Sequence, residues 1–437
     1  MDHPIQEIQK DISSKYLIAK SYFSGFDEAH DTYNAISAAS DGKVYYVLSS
    51  NTLKSGKFYR FDPLLDQTEF IADLNDMCGE ANACAIPQGK SHSRLFEMSG
   101  KLFIATHIGF YEMIEGFERI PVNLPDGYKP YPGGHLLSYD LITGEVNDLM
   151  KVPFGEGIVT MTMDIKRGQI YGITWPSGHF FHYDTTNDEF KDLGLISGRG
   201  EAGIPGEDYR VICRSMFIDP RDGSVYYSTS EGDIFSYHFE ENDKKKIDAI
   251  SLELDYLGRY DYTRPGSMSY NWRKIFWYEP EGVAYGVHGN SGFLFRFDPK
   301  KLCIEIVERL TSEPSRKSGM FDQFTYGYLG FILGPDKETI YYLTGGPVFE
   351  DGKLIKGDDQ INVGSKGIEN VHLITFNIPS GEYIDHGPIC YSDGSIPGYV
   401  NSIAMTEDGT IYTLARFLHH GQVIEDLVKI PNPLTIN

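Results

Sequence analysis

Residues 164–184 read DIKRGQIYGITWPSGHFFHYD, and this stretch contains the pattern that decides the fold. A tight turn ending in Gly168 is followed by a strand, a second turn, and another strand rich in aromatic residues. Apolar and polar residues that alternate with a period of two indicate β-strands, and a glycine supplies the positive φ that hairpin turns need. The stretch therefore predicts consecutive antiparallel strands of one sheet.

The same unit recurs along the whole chain. Turns of this kind also end at Gly42, Gly100, Gly223, Gly282 and Gly409, and Glu338 stands where a seventh glycine would fall. Four strands per unit, seven units and a spacing of about 60 residues predict an all-β, seven-bladed β-propeller with four-stranded antiparallel blades. We expect one domain over residues 1–437, in which a strand at about 16–23 completes the last blade. Two packed sandwiches are the alternative.

The composition limits the partners and the compartment. The 437 residues carry a net charge of −23, which argues against nucleic acid and against an anionic membrane surface, because both need a basic face. No apolar run is long enough for a membrane helix, and the first residues lack the pattern of a signal peptide. We expect a cytoplasmic location for the chain as it stands, and a periplasmic or secreted one if a leader was removed.

Sequence motifs for common cofactors are absent. The chain contains no Gly-rich nucleotide loop, no HExxH, no EF-hand loop and no nucleophile elbow. The five cysteines have no CxxC spacing, so we expect reduced thiols, with a disulfide between Cys78 and Cys84 as the alternative. No cofactor is predicted, a divalent metal stays open, and the sequence does not indicate the oligomeric state.

The repeat predicts a cluster of polar side chains at one mouth of the central channel. We expect the position eight residues before each turn marker to lie beside the position seven residues after it. This offset pairs His92 with His107, Thr160 with Trp175, Lys274 with Gly289, Gly330 with Gly345, and Asn401 with Arg416. Arg214, Arg273 and His288 lie one residue away from these positions. Imidazoles can pass protons near neutral pH, and cations gathered at one mouth would attract an anion. A structural pair that bonds loop carbonyls is the alternative for His92 and His107.

A long connection over residues 108–134 is expected on the same face. Its Tyr128, Lys129 and Tyr131 would form one wall of a cleft, and aromatic rings stack well on sugar rings. A purely structural role for this Pro- and Gly-rich loop is the alternative.

Three segments resemble a known enzyme family. They read KSHSRLFEMSGKLFIATHIGFYE (90–112), YPGGHLLSYDLITGEVNDL (131–149) and IYGITWPSGHFFHYD (170–184). They resemble the seven-bladed propeller polysaccharide lyases, in particular the ulvan lyases and their uncharacterised bacterial relatives, most clearly over residues 88–240. The resemblance implies that His92 and His107 belong to an active site.

The resemblance also implies a reaction and a set of roles. That family cleaves glycans at a uronic acid by β-elimination, in which a cation neutralises the carboxylate and a Tyr or His removes the C5 proton. The chain departs from the family pattern, because Thr160 and Trp175 stand where the family has its Tyr and Arg. The catalytic candidates are therefore His92, His107, Arg214 and Tyr209. The candidates for substrate binding are Arg416, Arg273, His288, Lys274, Trp175, Asn401 and Tyr131, and no metal ligand is predicted.

The leading hypothesis is thus a lyase whose partner is an acidic, uronate-containing oligo- or polysaccharide. One alternative is a non-catalytic propeller scaffold that binds a glycan or a protein. Another is a different enzyme, either a hydrolase or a metal-dependent enzyme like oligogalacturonate lyase.

Overall fold

The computed structural model describes residues 16–31, 33–318, 330–345, 349–350, 353–354, 371–398 and 400–435. The predicted domain spans residues 1–437, so part of it, including residues 1–15, lies outside the described residues.

The alternating segments of the sequence form short antiparallel strands. After β1 (Leu17–Ser21), the first sheet contains β2 (Ile36–Ala38), β3 (Val44–Leu48), β4 (Lys57–Asp62) and β5 (Gln67–Asp73), and helix α1 (Leu74–Met77) follows. The next strands are β6 (Phe96–Met98), β7 (Lys101–Ala105), β8 (Glu112–Ile114), β9 (Phe117–Arg119), β10 (His135–Asp140) and β11 (Val146–Lys151). Strands β6, β7, β10 and β11 form the second sheet, whereas β8 and β9 form a separate hairpin.

Three further sheets have four consecutive strands each. The third contains β12 (Gly157–Asp164), β13 (Gln169–Trp175), β14 (His179–Asp184) and β15 (Glu189–Leu195). The fourth contains β16 (Phe217–Ile218), β17 (Val225–Ser228), β18 (Asp233–His238) and β19 (Asp243–Ser251). The fifth contains β20 (Trp272–Tyr278), β21 (Val283–His288), β22 (Phe293–Asp298) and β23 (Cys303–Arg309). Single 3₁₀ turns lie at Pro153–Gly155, Gly200–Ala202 and Asp255–Leu257.

The remaining strands follow helix α2 (Glu313–Ser318). They are β24 (Gly330–Leu333), β25 (Thr339–Gly345), β26 (Phe349–Glu350), β27 (Lys353–Leu354), β28 (Val371–Asn377), β29 (Glu382–Tyr391), β30 (Ala404–Met405), β31 (Ile411–His419) and β32 (Gln422–Ile430). Strands β26 and β27 form a hairpin. The others join β1 in an eight-stranded sheet of order β24-β25-β28-β29-β1-β32-β31-β30.

Strand β1 lies between two strands from the end of the chain. Its first half pairs in parallel with β29, where Leu17 lies opposite Ile389. Its second half pairs antiparallel with β32, where Ser21 lies opposite Val428. The first described strand thus extends the sheet that contains the last strand of the chain.

The sheets follow one another around a closed ring. Strand β7 contacts β12, β12 contacts β16, β16 contacts β20, and β20 contacts β24. The ring is closed because β30 contacts β2 and because the Ser37 hydroxyl donates a hydrogen bond to the Leu95 carbonyl. Aromatic rings fill the spaces between sheets; for example, Tyr45 packs against Tyr139 of the next sheet with 6.0 Å between ring centroids. The aromatic residues of the repeat therefore form much of the core.

The predicted pairing offset between the first two strands of each unit is wrong by two or three residues. Thr160 lies opposite Ile173 rather than Trp175, and Lys274 lies opposite Val287 rather than Gly289. Gly330 likewise pairs with Leu343, and Arg416 forms a bridge with Gly398. The cause is the length of the hairpin turns: four residues lie between Asp164 and Gln169 and between Tyr278 and Val283, more than the offset assumed. The bulges in β12 after Ile158 and in β20 after Trp272 lie beyond these pairs and do not shift them.

Two further findings concern the whole of the described chain. All five cysteines are free thiols, so the alternative of a Cys78–Cys84 disulfide is wrong. Within the described residues, no helix is long and apolar enough to cross a membrane.

Candidate functional site

The two predicted histidines meet at one end of the second sheet. Their ring centroids are 5.8 Å apart. The backbone partner of His107 is Lys90, not His92, because the Lys90 and His107 N–H and C=O groups exchange hydrogen bonds of 3.1 and 2.8 Å. Side chains at positions i and i+2 of an extended segment point to the same side, so Lys90 and His92 share one face. The structure thus brings the histidines together and adds a lysine to them.

Both imidazoles are held through Nδ1. His92 Nδ1 lies 2.9 Å from the Val159 carbonyl oxygen, and His107 Nδ1 lies 2.7 Å from the Ile108 carbonyl oxygen. A carbonyl only accepts, so each Nδ1 carries the hydrogen and each Nε2 keeps a lone pair. Within the described chain, neither Nε2 has a hydrogen-bond partner. Burial holds the pKa of both imidazoles well below the usual range, and the charges of Lys90 and Arg214 add to the effect. Both rings are therefore neutral at pH 7.

Lys90 is the functional candidate that sequence reasoning missed. Its side chain is only 3% exposed, and its Nζ lies 3.9 Å from the ring centroid of Tyr33 and 4.7 Å from that of Tyr111. No carboxylate of the described residues lies within ion-pair distance of this ammonium. Burial lowers its pKa to about 8, against the opposing charges of Glu118 and Asp31. A lysine held in this way is a common feature of functional sites.

Lys90 faces a cavity of about 170 Å³. Tyr33 and Tyr111 form its aromatic walls, and Ser49 and Asn51 supply polar groups. Tyr33 and Tyr111 also connect the cavity to the histidines, because the Tyr33 ring lies 4.7 Å from His92 and the Tyr111 ring lies 6.5 Å from His107. The cavity lining includes Lys90 but neither histidine; the histidines contact the lining residues Tyr33 and Tyr111 from outside it.

The pKa values of two carboxyl groups in the cavity lining are shifted in opposite directions. Burial raises the pKa of Glu118, which reaches the cavity from strand β9. Burial acts in the same direction on Asp31, but His30 and Arg416 outweigh it and lower the Asp31 pKa. Two acids whose environments move their pKa values apart can serve as a proton donor and an ionised partner.

Trp175 and Arg214 lie beside the histidines and are joined by Glu201. The Trp175 ring lies 5.5 Å from His107 and 5.2 Å from Tyr111. Its Nε1 donates to Glu201 Oε2 at 2.8 Å, and Arg214 donates to Glu201 Oε1 at 2.6 Å. The Arg214 guanidinium is thus neutralised by a carboxylate, although its charge still reaches His92.

Arg416 is also held by carboxylates. It donates to Glu425, and its Nη2 lies 2.7 Å from Asp31 Oδ1. Because Asp31 lines the cavity, Arg416 positions a residue of the site rather than presenting an open cation. Neither predicted arginine therefore offers an uncommitted charge to a substrate, whereas Lys90 does.

Several other predicted residues lie away from the cavity. Tyr131 is 3% exposed and donates to Gln88 at 2.7 Å, so it belongs to the core and not to a cleft wall. His288 is buried against Ser291, and burial lowers its pKa to about 3. Tyr209 packs in a small cluster with Val211 and Met268. None of these three lines the cavity.

Arg273 and Lys274 form a second group of cations. Burial and the charges of Arg273 and Arg94 hold the Lys274 pKa well below its usual range. Arg273 is buried and donates toward the Met268 sulfur, while Asn401 is buried on the chain segment before β30. These side chains are not part of the cavity lining. In the described residues, no three His, Cys, Asp or Glu side chains converge as a metal site would require.

Comparison with solved structures identifies the architecture. The β-propeller domain of Cps50 (Swd1) from Myceliophteria thermophila matches 95% of this chain and 99% of its own, with 10% identity and a TM-score of 0.51. The chain has a β-propeller fold. An oligogalacturonate lyase in complex with manganese matches 95% of this chain and 97% of its own, with 14% identity and a TM-score of 0.48.

The chain matches no sequence-family model and no curated protein sequence. The resemblance to ulvan lyases therefore stays a prediction, and the functional argument rests on the site itself.

Proposed function

We propose that this protein is a seven-bladed propeller enzyme that cleaves an acidic, uronate-containing glycan by β-elimination. The seven-blade count treats the eight-stranded sheet as two blades that share an edge: β24-β25-β28-β29 and β30-β31-β32-β1. The observation that carries the activity is the Lys90 ammonium. It has no carboxylate partner among the described residues and lines the cavity, and the adjoining rings of Tyr33 and Tyr111 contact two neutral imidazoles whose Nε2 atoms have no hydrogen-bond partner there.

The site residues can divide the reaction among them. The Lys90 ammonium would bind the uronate carboxylate, and this neutralisation makes the C5 proton easier to remove. Nε2 of His92 or His107 would accept that proton, since both rings are neutral at pH 7. Glu118, whose pKa burial raises, would donate a proton to the leaving O4 oxygen. This assignment differs from the prediction that Arg214 or Arg416 holds the carboxylate, because both guanidinium groups are already paired.

The remaining cavity groups suit a sugar. Tyr33 and Tyr111 offer aromatic faces, and Ser49 and Asn51 offer hydrogen bonds to hydroxyl groups. The cavity is smaller than the roughly 300–1,000 Å³ of pockets that hold drug-sized ligands, so it would take one sugar unit. The net charge of −23 would not prevent an acidic glycan from binding, because the local charge at Lys90 is positive.

The experiment is a panel of uronate-containing polysaccharides and oligosaccharides. Elimination would produce an unsaturated uronate, seen as rising ultraviolet absorbance. His92→Ala and His107→Ala should each lower the rate by about 10²- to 10⁴-fold, the usual contribution of a general base. His420→Asn, on an exposed turn of positive φ, is the matched control and should keep full activity. Absence of any absorbance change across the panel would overturn the lyase proposal.

A hydrolase is the second candidate, favoured by Asp31 and Glu118. Both line one cavity and have opposite pKa shifts, as a glycosidase acid and its ionised partner would. The same panel separates the two, since hydrolysis produces new reducing ends without ultraviolet absorbance. Binding without any new product would instead favour the non-catalytic scaffold.

A further inference from the structure

We propose that Lys90 is a nucleophilic amine that forms an imine with the carbonyl group of a small hydroxy-aldehyde or reducing sugar in the 170 Å³ cavity. This role goes beyond the proposed elimination and does not depend on it, because it requires neither a uronate nor any bond cleavage in a glycan.

The first support is the fixed position of the amine. Two backbone hydrogen bonds to His107 hold Lys90, and its Nζ lies between the rings of Tyr33 and Tyr111 at 3.9 and 4.7 Å. The aromatic contacts direct Nζ into the cavity, where a carbonyl carbon could approach it.

The second support is the contrast with surface lysines. Lys54 is paired with Glu28, Lys246 with Asp233 at 2.8 Å, and Lys301 with Asp298 at 3.4 Å. The hydrogen bond to Asp233 raises the pKa of Lys246. Lys90 has no carboxylate partner in the described chain, and its ammonium contacts the faces of Tyr33 and Tyr111 instead.

The third support is the balance of charge around the amine. Burial is the largest effect and lowers the pKa to about 8; the charge of Arg214 acts with it, and Glu118, Asp31 and Glu201 act against it. At pH 7 about 10% of Lys90 would be the neutral amine, compared with about 0.04% of an ordinary lysine. Desolvation and a neighbouring cation are a known means of activating a lysine nucleophile.

The chemistry balances without an oxidant or reductant. The neutral amine adds to the carbonyl carbon, which forms an N–C bond and turns the carbonyl oxygen into a hydroxyl group. A second proton leaves nitrogen as the hydroxyl departs as water, which gives the imine. Solvent or Glu118, which lines the cavity, can carry these protons. Ser49 and Asn51 can bind hydroxyl groups on the neighbouring carbons.

The test is reductive trapping of the intact protein with glycolaldehyde and sodium cyanoborohydride, followed by peptide mass spectrometry. The matched control is Lys300, an exposed lysine on the turn after β22. At pH 7 more of Lys90 than of Lys300 is the neutral, reactive amine, but a less basic amine is also a weaker nucleophile. The two effects partly cancel, so we expect Lys90 to be labelled about tenfold faster than Lys300 at pH 7. The Lys90 rate should reach half of its maximum near pH 8. The proposal is overturned if Lys90 reacts no faster than Lys300, or if its rate still rises above pH 10.

Two variants keep the test specific. Lys90→Arg should remove the label at this position and leave Lys300 labelled as before. Glu118→Gln removes a carboxyl group that favours the ammonium when it is ionised, so the midpoint at Lys90 should move to lower pH; a higher midpoint counts against the proposal. Labelling of Lys90 does not require catalytic turnover, so the two proposals can fail separately. A protein that is labelled at Lys90 but has no lyase activity would contradict only the lyase proposal. A protein with lyase activity that is not labelled at Lys90 would contradict only the imine proposal.

Discussion

The carboxyl group of Asp426 should make the protein less stable as the pH rises toward neutrality. Asp426 is 1% exposed and accepts hydrogen bonds from the Ser24 N–H at 2.6 Å, the Ser24 hydroxyl at 2.7 Å and the Leu427 N–H at 2.7 Å. Burial outweighs these bonds and raises the pKa of Asp426 from 3.8 to about 7. The group thereby couples protonation to the contact between the segment after β1 and strand β32.

The size and sign follow from the two pKa values. The shift is about 3 units at roughly 1.4 kcal/mol each, which gives about 4 kcal/mol. Between pH 4 and pH 7 the carboxyl is ionised in the unfolded chain and protonated in the folded one, so unfolding releases a proton. The free energy of unfolding is therefore highest below about pH 4 and falls until the pH exceeds about 7.

Urea unfolding of the wild type and of Asp426→Asn across pH 4–8 measures this effect. Glu425, whose pKa burial also raises to about 7, titrates in both proteins, so subtraction of the two curves isolates Asp426. The asparagine has no charge to desolvate, and the difference in unfolding free energy should change by up to about 4 kcal/mol across this range. A difference that stays constant within 1 kcal/mol would refute the reasoning.

Two other substitutions test the surroundings of the site. Arg416→Met should lower the free energy of unfolding by about 3–5 kcal/mol, because it leaves the buried Glu425 without its ion-pair partner and leaves Asp31 with His30 alone. A loss below about 1 kcal/mol in urea unfolding would contradict this. Gly157→Ala would place a Cβ 2.7 Å from Cγ of His107, so the imidazole must move. For Gly157→Ala we expect a lower rate on any substrate and a shifted NMR signal of the His107 imidazole. The control Gly398→Ala, whose Cβ would lie 3.5 Å from the Arg416 Cβ, should behave as wild type. Equal spectra for Gly157→Ala and the wild type would show that His107 is not displaced.

The architecture was predictable because it repeats. All units but the one with Glu338 contribute a turn glycine, and alternating strands follow the turns, so an error in one unit is corrected by the others. Gly42, Gly100, Gly168 and Gly409 do have positive φ, as the turns require. The pairing between the first two strands of a unit was not predictable, because the number of residues in the hairpin turn sets the register and the turn glycine marks only where the turn ends. Four residues separate the paired ends of β12 and β13, and four separate those of β20 and β21.

The candidate site was predictable only in part, for the same reason. His92 and His107 do lie together, although their backbone pairing is shifted. Lys90 was missed because the predicted offset placed His92, not Lys90, beside His107. In KSHS, residues 90–93, Lys90 stands two residues before His92, and this spacing could have indicated that both side chains lie on one face of a strand. Arg214 is paired with Glu201, and Arg416 is paired with Asp31. Both carboxylates lie in segments outside the repeat, so the sequence contains no fixed spacing between an arginine and its partner.

The position of β1 also affects the order in which the chain acquires structure during synthesis. The sheet β2–β5 is complete once residue 73 has been made, but Ser21 pairs with Val428, roughly four hundred residues later. At about 5–20 residues per second, β1 is without its partner strands for about 20–80 s after it is made. During that interval its backbone groups can pair only with water or with other molecules, so the N-terminal segment is where we expect a chaperone to bind the nascent chain. The last sheet, and with it the ring, is completed only after strand β32 has been made.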